Sequence, residues 1–163
     1  MCLLAIATCI VTFVATLTIS YQAALARMET ETMRQAALVA AGLEHIDALD
    51  SDEQKAYMQA IGKSDRSRVT LIEPDGTVIY DSNYDHSQME NHLERQEVQE
   101  ATNNGTGEAS RTSATLGQQT YYVAKLLDNG QILRVSNTTD LVTDDLQRAI
   151  APLLLIIIVV IAF

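Results

Sequence analysis

Apolar positions crowd both ends of the chain and alternate with polar ones only in between. From Met1 to about Ile19 nearly every residue is apolar or Thr. As a helix, about 19 residues rise roughly 28 Å, close to the ~30 Å hydrocarbon core of a bilayer. A second apolar run, Ala149 to Phe163, reaches only about 22 Å. It breaks off without a polar flank, which predicts the start of a second spanning helix truncated at Phe163. A competing reading of the first run is a cleaved secretory signal, with Ala24-Leu25-Ala26 as its A-x-A site. The missing basic n-region and the length of the apolar run argue against it.

Between the ends the period changes. Tyr21 to Asp47 lacks Pro and is rich in Ala, Glu, Met, Gln and Leu, which predicts one long helix continuing from the first span. Leu25, Met28, Thr32, Val39, Ile46 and Leu49 form one stripe on it, and Ala36, Ala40 and Leu43 an adjacent one. The stripe serves either as a dimer seam or as the face packed on the domain; Gln35 and Gly42 break the heptad. Ser51-Asp52-Glu53-Gln54 is a capping box opening a short helix to about Ile61. Arg68–Ser82, RVTLIEPDGTVIYDS, holds two β-rich runs around a Pro-Asp-Gly turn, a hairpin signature. Asn83–Asn91 reads as a loop and Leu93–Asn103 as a helix. Residues 102–120 hold one large apolar side chain, Leu116, so a strand there is an edge or lines a polar cavity. Thr120–Leu127 and Gln131–Ser136 read as strands around Asp128-Asn129-Gly130. Asn137-Thr138-Thr139 offers caps to an exit helix, whose stripe Val142, Leu146, Ile150 and Leu153 runs into the second apolar segment.

The expected organisation is a transmembrane helix over 1–20, a helical lead-in over 21–67, a sheet domain over 68–137, an exit helix over 138–148, and the second transmembrane helix starting at 149–163. Short strands joined by tight turns predict an α+β domain with a five-stranded antiparallel sheet and a long N-terminal helix.

Charge narrows the partners. All of it lies in residues 27–148: 11 Lys and Arg against 21 Asp and Glu, net −10. So acidic a domain does not bind nucleic acid or anionic lipid by charge. Cys2 and Cys9 both lie in the first apolar run. The central domain therefore has no disulfide, Cys-ligated metal or Cys nucleophile, and its about 120 residues suffice for one core.

The blocks RVTLIEPDGTVIYDS, MENHLERQEV (Met89–Val98), NGTGEASRTSATLGQQTYYVA (Asn104–Ala124) and ILRVS, in that order, resemble the extracytoplasmic sensor domain of PhoR-like sensor histidine kinases. The resemblance covers roughly residues 25–163. Where such sequences often carry Pro after the Arg of the NH-x-x-R block, this chain has Gln96. The resemblance implies a PAS-like or single-Cache-like fold between two transmembrane helices, in the cell membrane, with residues about 21–148 outside the cytoplasm. It also implies a homodimer, a cognate response regulator, and ATP and Mg for a kinase core beyond Phe163, with no cofactor in this segment. The expected function is sensing of an unknown extracellular ligand or partner protein and signal input to that kinase. Alternatives are the same module feeding a chemoreceptor or cyclic-dinucleotide output, and a membrane-tethered binding domain without enzymatic output.

In a PAS-like domain a pocket lies between the sheet and its covering segment. That points to His92, Arg95, Arg111, Tyr122 and Arg134, whose arginines among Ser and Thr suit an anionic small molecule. The reading the residues favour is blander: Arg95 pairs with Glu97 or Glu100, and Arg111 is a protective charge on an exposed edge strand. Asp85, His86, Glu90 and His92 lack tight ligand spacing and read as a solvated acidic loop, so no metal is expected. No G-x-S-x-G occurs, and Asp50/Asp52 and Asp144/Asp145 sit at helix starts, so no catalytic residue is expected either. Asn104-Gly105-Thr106 and Asn137-Thr138-Thr139 match the glycosylation pattern but read as turn and cap residues. Pro152, which removes a helix bond to the Arg148 carbonyl, is a candidate hinge.

Overall fold

The computed structural model describes residues 2–45, 51–64, 67–113 and 119–139. The exit helix, the second apolar run and the Pro152 hinge lie outside the described residues. The chain divides into two compact units, Met1–Met28 with Thr139–Phe163, and Glu29–Thr138.

In the first unit the described residues form the opening turns of α1 (Cys2–His45). Among the described residues, α1 is the helix long and apolar enough to cross a membrane, with mean hydropathy 1.3. Its threonines fit that setting. Thr12, Thr16 and Thr18 each donate their hydroxyl to the carbonyl four residues back, at 2.8–2.9 Å, so these three hydroxyls are satisfied within the helix.

The second unit contains the rest of α1, then α2 (Ser51–Ser64), β1 (Arg68–Ile72), β2 (Val78–Asp81), a 3₁₀ turn at His86–Gln88, α3 (Gln96–Asn104), β3 (Thr106–Thr112), β4 (Gln119–Leu126) and β5 (Ile132–Thr138). The strands form one sheet in the order β2-β1-β5-β4-β3, with every pairing antiparallel. The five-stranded antiparallel α+β architecture is thus as the sequence predicts. In the first hairpin Gly76 takes φ +86°, Asp75 accepts from the Thr77 amide at 2.9 Å, and Gly76 N donates to the Glu73 carbonyl at 2.8 Å.

Directly opposed residues share a face. On one face lie Val69 and Leu71 of β1, Val135 and Asn137 of β5, and Tyr121 and Val123 of β4. On α1, Thr32, Gln35, Ala36, Val39, Ala40 and Leu43 are buried, a helical stripe. Asn137 Nδ2 donates to Thr32 Oγ1 at 2.8 Å and to Gln35 Oε1 at 3.4 Å, and Ser67 Oγ donates to the same Gln35 oxygen at 2.6 Å. Gln35, which interrupts the heptad, is therefore an inward polar link from helix to sheet, and the stripe from Thr32 to Leu43 is packed on the domain, while Ile46 and Leu49 lie outside the described residues.

The other face carries α3. Its apolar half joins Ile72, Val78, Ala124 and Ile132 to Val98 and Ala101 of the helix, with Met89 alongside. The approach is close at Gly107. A Cβ there would lie 2.2 Å from the Glu97 carbonyl oxygen and 2.7 Å from the Ala101 amide nitrogen. Both are backbone atoms that no rotamer change can move. Gly107→Ala is expected to cost at least the 1–3 kcal/mol typical of overpacking, read as a lower denaturation midpoint. An unchanged midpoint would mean that α3 does not lie this near β3.

Candidate functional site

The α3 face of the sheet changes character along its strands. Beyond Ile72, Ile132 and Ala124, alternation brings Thr70 and Arg68 of β1, Arg134 and Ser136 of β5, and Tyr122 and Thr120 of β4 onto one surface. β2 adds Asp81, opposite Thr70, and the edge strand β3 adds Arg111, opposite Thr120. All of these except Arg111 are buried.

Two carboxylates organise the arginines. Asp81 Oδ2 accepts from Arg68 Nε at 2.8 Å and from Thr70 Oγ1 at 2.9 Å, and its Oδ1 accepts from the amides of Asn83 and Tyr84 at 3.0 and 3.1 Å. The strand end, its loop and Arg68 are thereby tied together. Glu97, in the first turn of α3 and wholly buried, accepts both Nη groups of Arg111 at 2.5 and 2.7 Å and Arg134 Nη1 at 3.3 Å. Burial raises the Glu97 pKa, but the Arg111 hydrogen bonds and the Arg134 charge outweigh it and hold the carboxyl below its usual range. The Tyr122 ring is shared by two guanidinium groups, Arg111 at 4.2 Å and Arg134 at 5.2 Å from its centroid. Arg68 stacks on Tyr84 at 4.8 Å.

Two polar atoms at the centre have no hydrogen-bond partner. Arg134 is 3% exposed and its Nη2 reaches Thr70 Oγ1 at 3.4 Å, but its Nε is unpartnered. Burial, then the charge of Arg68, push its pKa down to about 10 against the pull of Glu97. His92 is 7% exposed, and its Nδ1 is likewise unpartnered. Burial first, then Arg134, Arg95 and Arg68, lower its pKa to about 4, with Glu97 opposing. The imidazole is neutral at pH 7.

Of the five residues singled out from sequence, the structure gathers Arg111, Tyr122 and Arg134 around Glu97, with His92 in the field of Arg134. Arg95 differs: it is the N-cap residue of α3 and makes a long ion pair with the exposed Glu90 at 3.7 Å. The blander pairing of Arg95 with Glu97 or Glu100 is therefore not made. Glu97 is taken by Arg111 and Arg134, while the Glu100 carboxylate accepts from Gln96 Nε2 and the Glu108 amide. Arg111 does sit on an edge strand, but its guanidinium turns in to Glu97. Glu97, Arg68, Asp81 and Thr70 were missed. Arg68-x-Thr70 and Arg134-x-Ser136, two polar pairs at strand period, were the available signal. Nearby, Asp85 caps the 3₁₀ turn, accepting from the Ser87 amide and hydroxyl at 3.0 and 2.7 Å. A depression of about 610 Å³ is lined by Thr77, Val78, Ile79, His86, Met89 and Glu90, among others.

A family model described as Single Cache-like matches residues 19–134. Among solved structures, an extracellular ligand binding receptor from Desulfohalobium retbaense DSM5692 aligns with TM-score 0.58 and 14% identity, over 76% of this chain and 24% of the receptor. The chain thus spans about a quarter of that protein. A methyl-accepting chemotaxis protein from Vibrio parahaemolyticus RIMD 2210633 aligns with TM-score 0.55 and 12% identity, over 77% of this chain and 97% of the solved one. The V. cholerae histidine kinase DctB sensor domain aligns with TM-score 0.48 and 16% identity, over 78% and 58%. No curated protein sequence matches. With the family model covering most of its length, and a long N-terminal helix, a five-stranded antiparallel sheet and α3 on one sheet face, this chain belongs to the Single Cache-like family.

Proposed function

We propose that this chain is the extracytoplasmic input of a membrane sensor and binds a small ligand on the polar half of the α3 face, at His92, Arg111, Tyr122 and Arg134. The carrying observation is the pair of buried, unpartnered polar atoms, Arg134 Nε and His92 Nδ1. A buried polar group without a partner costs about 1–3 kcal/mol, and a ligand that supplies one recovers that cost. Arg95, half-buried at the rim, contributes field rather than contact.

The output we infer is a two-component histidine kinase of the PhoR-like type, acting as a homodimer anchored in the bilayer by two spans. ATP, Mg and a response regulator belong to its cytoplasmic part. The blocks quoted from the sequence support this reading. A ligand shifts such a device only by binding one of two arrangements better than the other. The second reading, a chemoreceptor output, draws on the same fold. The residues following Phe163 in the parent protein discriminate: an H-E-[LF]-[RK]-T-P-like box is expected, and a methyl-accepting helical hairpin in its place overturns the kinase. For the sensor itself, a small-molecule screen on the full chain in detergent micelles is expected to yield at least one compound that raises the melting temperature saturably. Loss of that shift is expected in His92→Phe. Silence across the screen counts against ligand sensing.

A further inference from the structure

Sulfur chemistry in the Glu29–Thr138 unit falls to three methionines, Met33, Met58 and Met89, because both cysteines, Cys2 and Cys9, precede it. Their surroundings differ. Met33 on α1 is 39% exposed, and Met58 on α2 is 1% exposed. Met89 is half-buried and ends the 3₁₀ turn, its amide donating to the His86 carbonyl at 3.1 Å. It packs on the apolar cluster that includes Ile72, Val78 and Val98, and it also lines the open 610 Å³ depression. Its sulfur accepts from Arg68 Nη2 at 3.8 Å. That guanidinium is fixed in place: Nε donates to Asp81 Oδ2 at 2.8 Å, and the group stacks on Tyr84 at 4.8 Å. A thioether is a weak acceptor, so this buried charged donor meets less than it can bond.

We propose that Met89 is a reversible oxidation site for two-electron oxidants of the peroxide class, and that Arg68 receives its sulfoxide. The open depression admits a small peroxide to the sulfur. A sulfur lone pair attacks one peroxide oxygen, the S–O bond forms and the O–O bond breaks. The bonding pair leaves on the second oxygen, which takes the remaining proton and departs as water. Sulfur is oxidised by two electrons and the peroxide is reduced by two. Negative charge develops on the departing oxygen, and the Arg68 guanidinium beside the sulfur is a donor of the right sign to meet it. The product is a polar sulfoxide. Its oxygen is a far stronger acceptor than the sulfur was, and Nη2 is free to serve it while Nε stays on Asp81. Asp81 already holds the amides of Asn83 and Tyr84. The oxidised form therefore ties both ends of the 83–89 segment to one guanidinium–carboxylate pair. This inference does not depend on ligand sensing.

The full chain in detergent micelles at pH 7 is treated with dilute hydrogen peroxide, and each methionine is followed by peptide mass analysis. Exposure alone would put Met33 first and Met89 well behind. Met89 is instead expected to oxidise at least as fast as Met33, with Met58 far slower than both. Oxidation is expected to move the Arg68 Nε–H resonance, and methionine sulfoxide reductases acting on both epimers are expected to return it. In Met89→Leu, which conserves the volume, peroxide should leave that resonance unmoved. A Met89 rate well below that of Met33 overturns the site. An Arg68 resonance that ignores the sulfoxide, or that moves equally in Met89→Leu, overturns the role of Arg68.

Discussion

Replacing Glu97 by Ala is expected to lower the stability of the Glu29–Thr138 unit by about 3–5 kcal/mol, the usual cost of stripping one partner from a buried ion pair. The reason is local. Among the described residues Glu97 is the carboxylate that meets both Arg111 and Arg134, and both guanidiniums approach the same Tyr122 ring. Without it, two cations face each other in a low dielectric. The helix also loses its charged tie to the sheet's edge strand. Gln at this position keeps the volume and one acceptor, so Glu97→Gln is expected to fall between wild type and Ala. Replacing Glu97, Arg111 and Arg134 together by apolar residues of similar size is expected to recover much of the loss, since desolvation then disappears along with attraction. Urea denaturation of the four proteins decides it. A loss under 1 kcal/mol for Glu97→Ala would mean that water reaches the cluster and screens it. The triple variant is also a functional probe, because it should fold and yet lack two of the side chains proposed to hold the ligand.

The cluster also marks where sequence reading stops. The hairpin at Glu73–Gly76, the Asp128–Gly130 turn and the helical stripe of α1, though not whether it faced a second copy or the sheet, were legible because each depends on residues close in the chain. Turn chemistry and helical period need no knowledge of distant partners. The polar edge strand was half legible. The shortage of large apolar side chains in 102–120 pointed to an edge or a polar cavity, and β3 is an edge whose Arg111 feeds a polar interior. Glu97 was not legible. An acid in the first turn of a helix has a sufficient local explanation in the helix dipole, which hides any second role. Its burial follows from Val98 and Ala101 packing on the sheet, and that depends on Gly107, ten residues downstream, letting the helix come close. The helix start moved for a related reason: Leu93 lies in a turn, 38% exposed, so its apolarity was no guide to the helix face. Arg68 looked like an ordinary strand charge, and its nearness to the pocket candidate Arg134 was hidden because their meeting place is set by the β1–β5 register, 64 residues apart at the Arg134–Thr70 contact.

Acidification is expected to destabilise the domain through His92 by about 3 kcal/mol between pH 6.5 and about 4. The sign follows from proton counting. Unfolded, the imidazole titrates near 6.5; folded, burial and the charges of Arg134, Arg95 and Arg68 hold it at about 4. Below 6.5 the unfolded chain takes up a proton that the folded chain refuses, so stability is fully present above 6.5 and falls as pH drops. The loss is complete once the folded pKa is passed. At 1.36 kcal/mol per pKa unit the interval from 6.5 to about 4 gives that magnitude. Urea midpoints at pH 7.5, 5.5 and 4.5 for wild type and His92→Gln test it, since subtraction removes the contributions common to both proteins. The difference curve should slope through this window and flatten above 7, and the His92 ring resonance should titrate near 4. Parallel profiles would place His92 in contact with solvent. A midpoint moved away from about 4 by a saturating ligand would show the imidazole and the ligand sharing one site. In the folded domain the imidazole stays neutral through the mildly acidic range, and its Nδ1 offers a hydrogen bond rather than a charge.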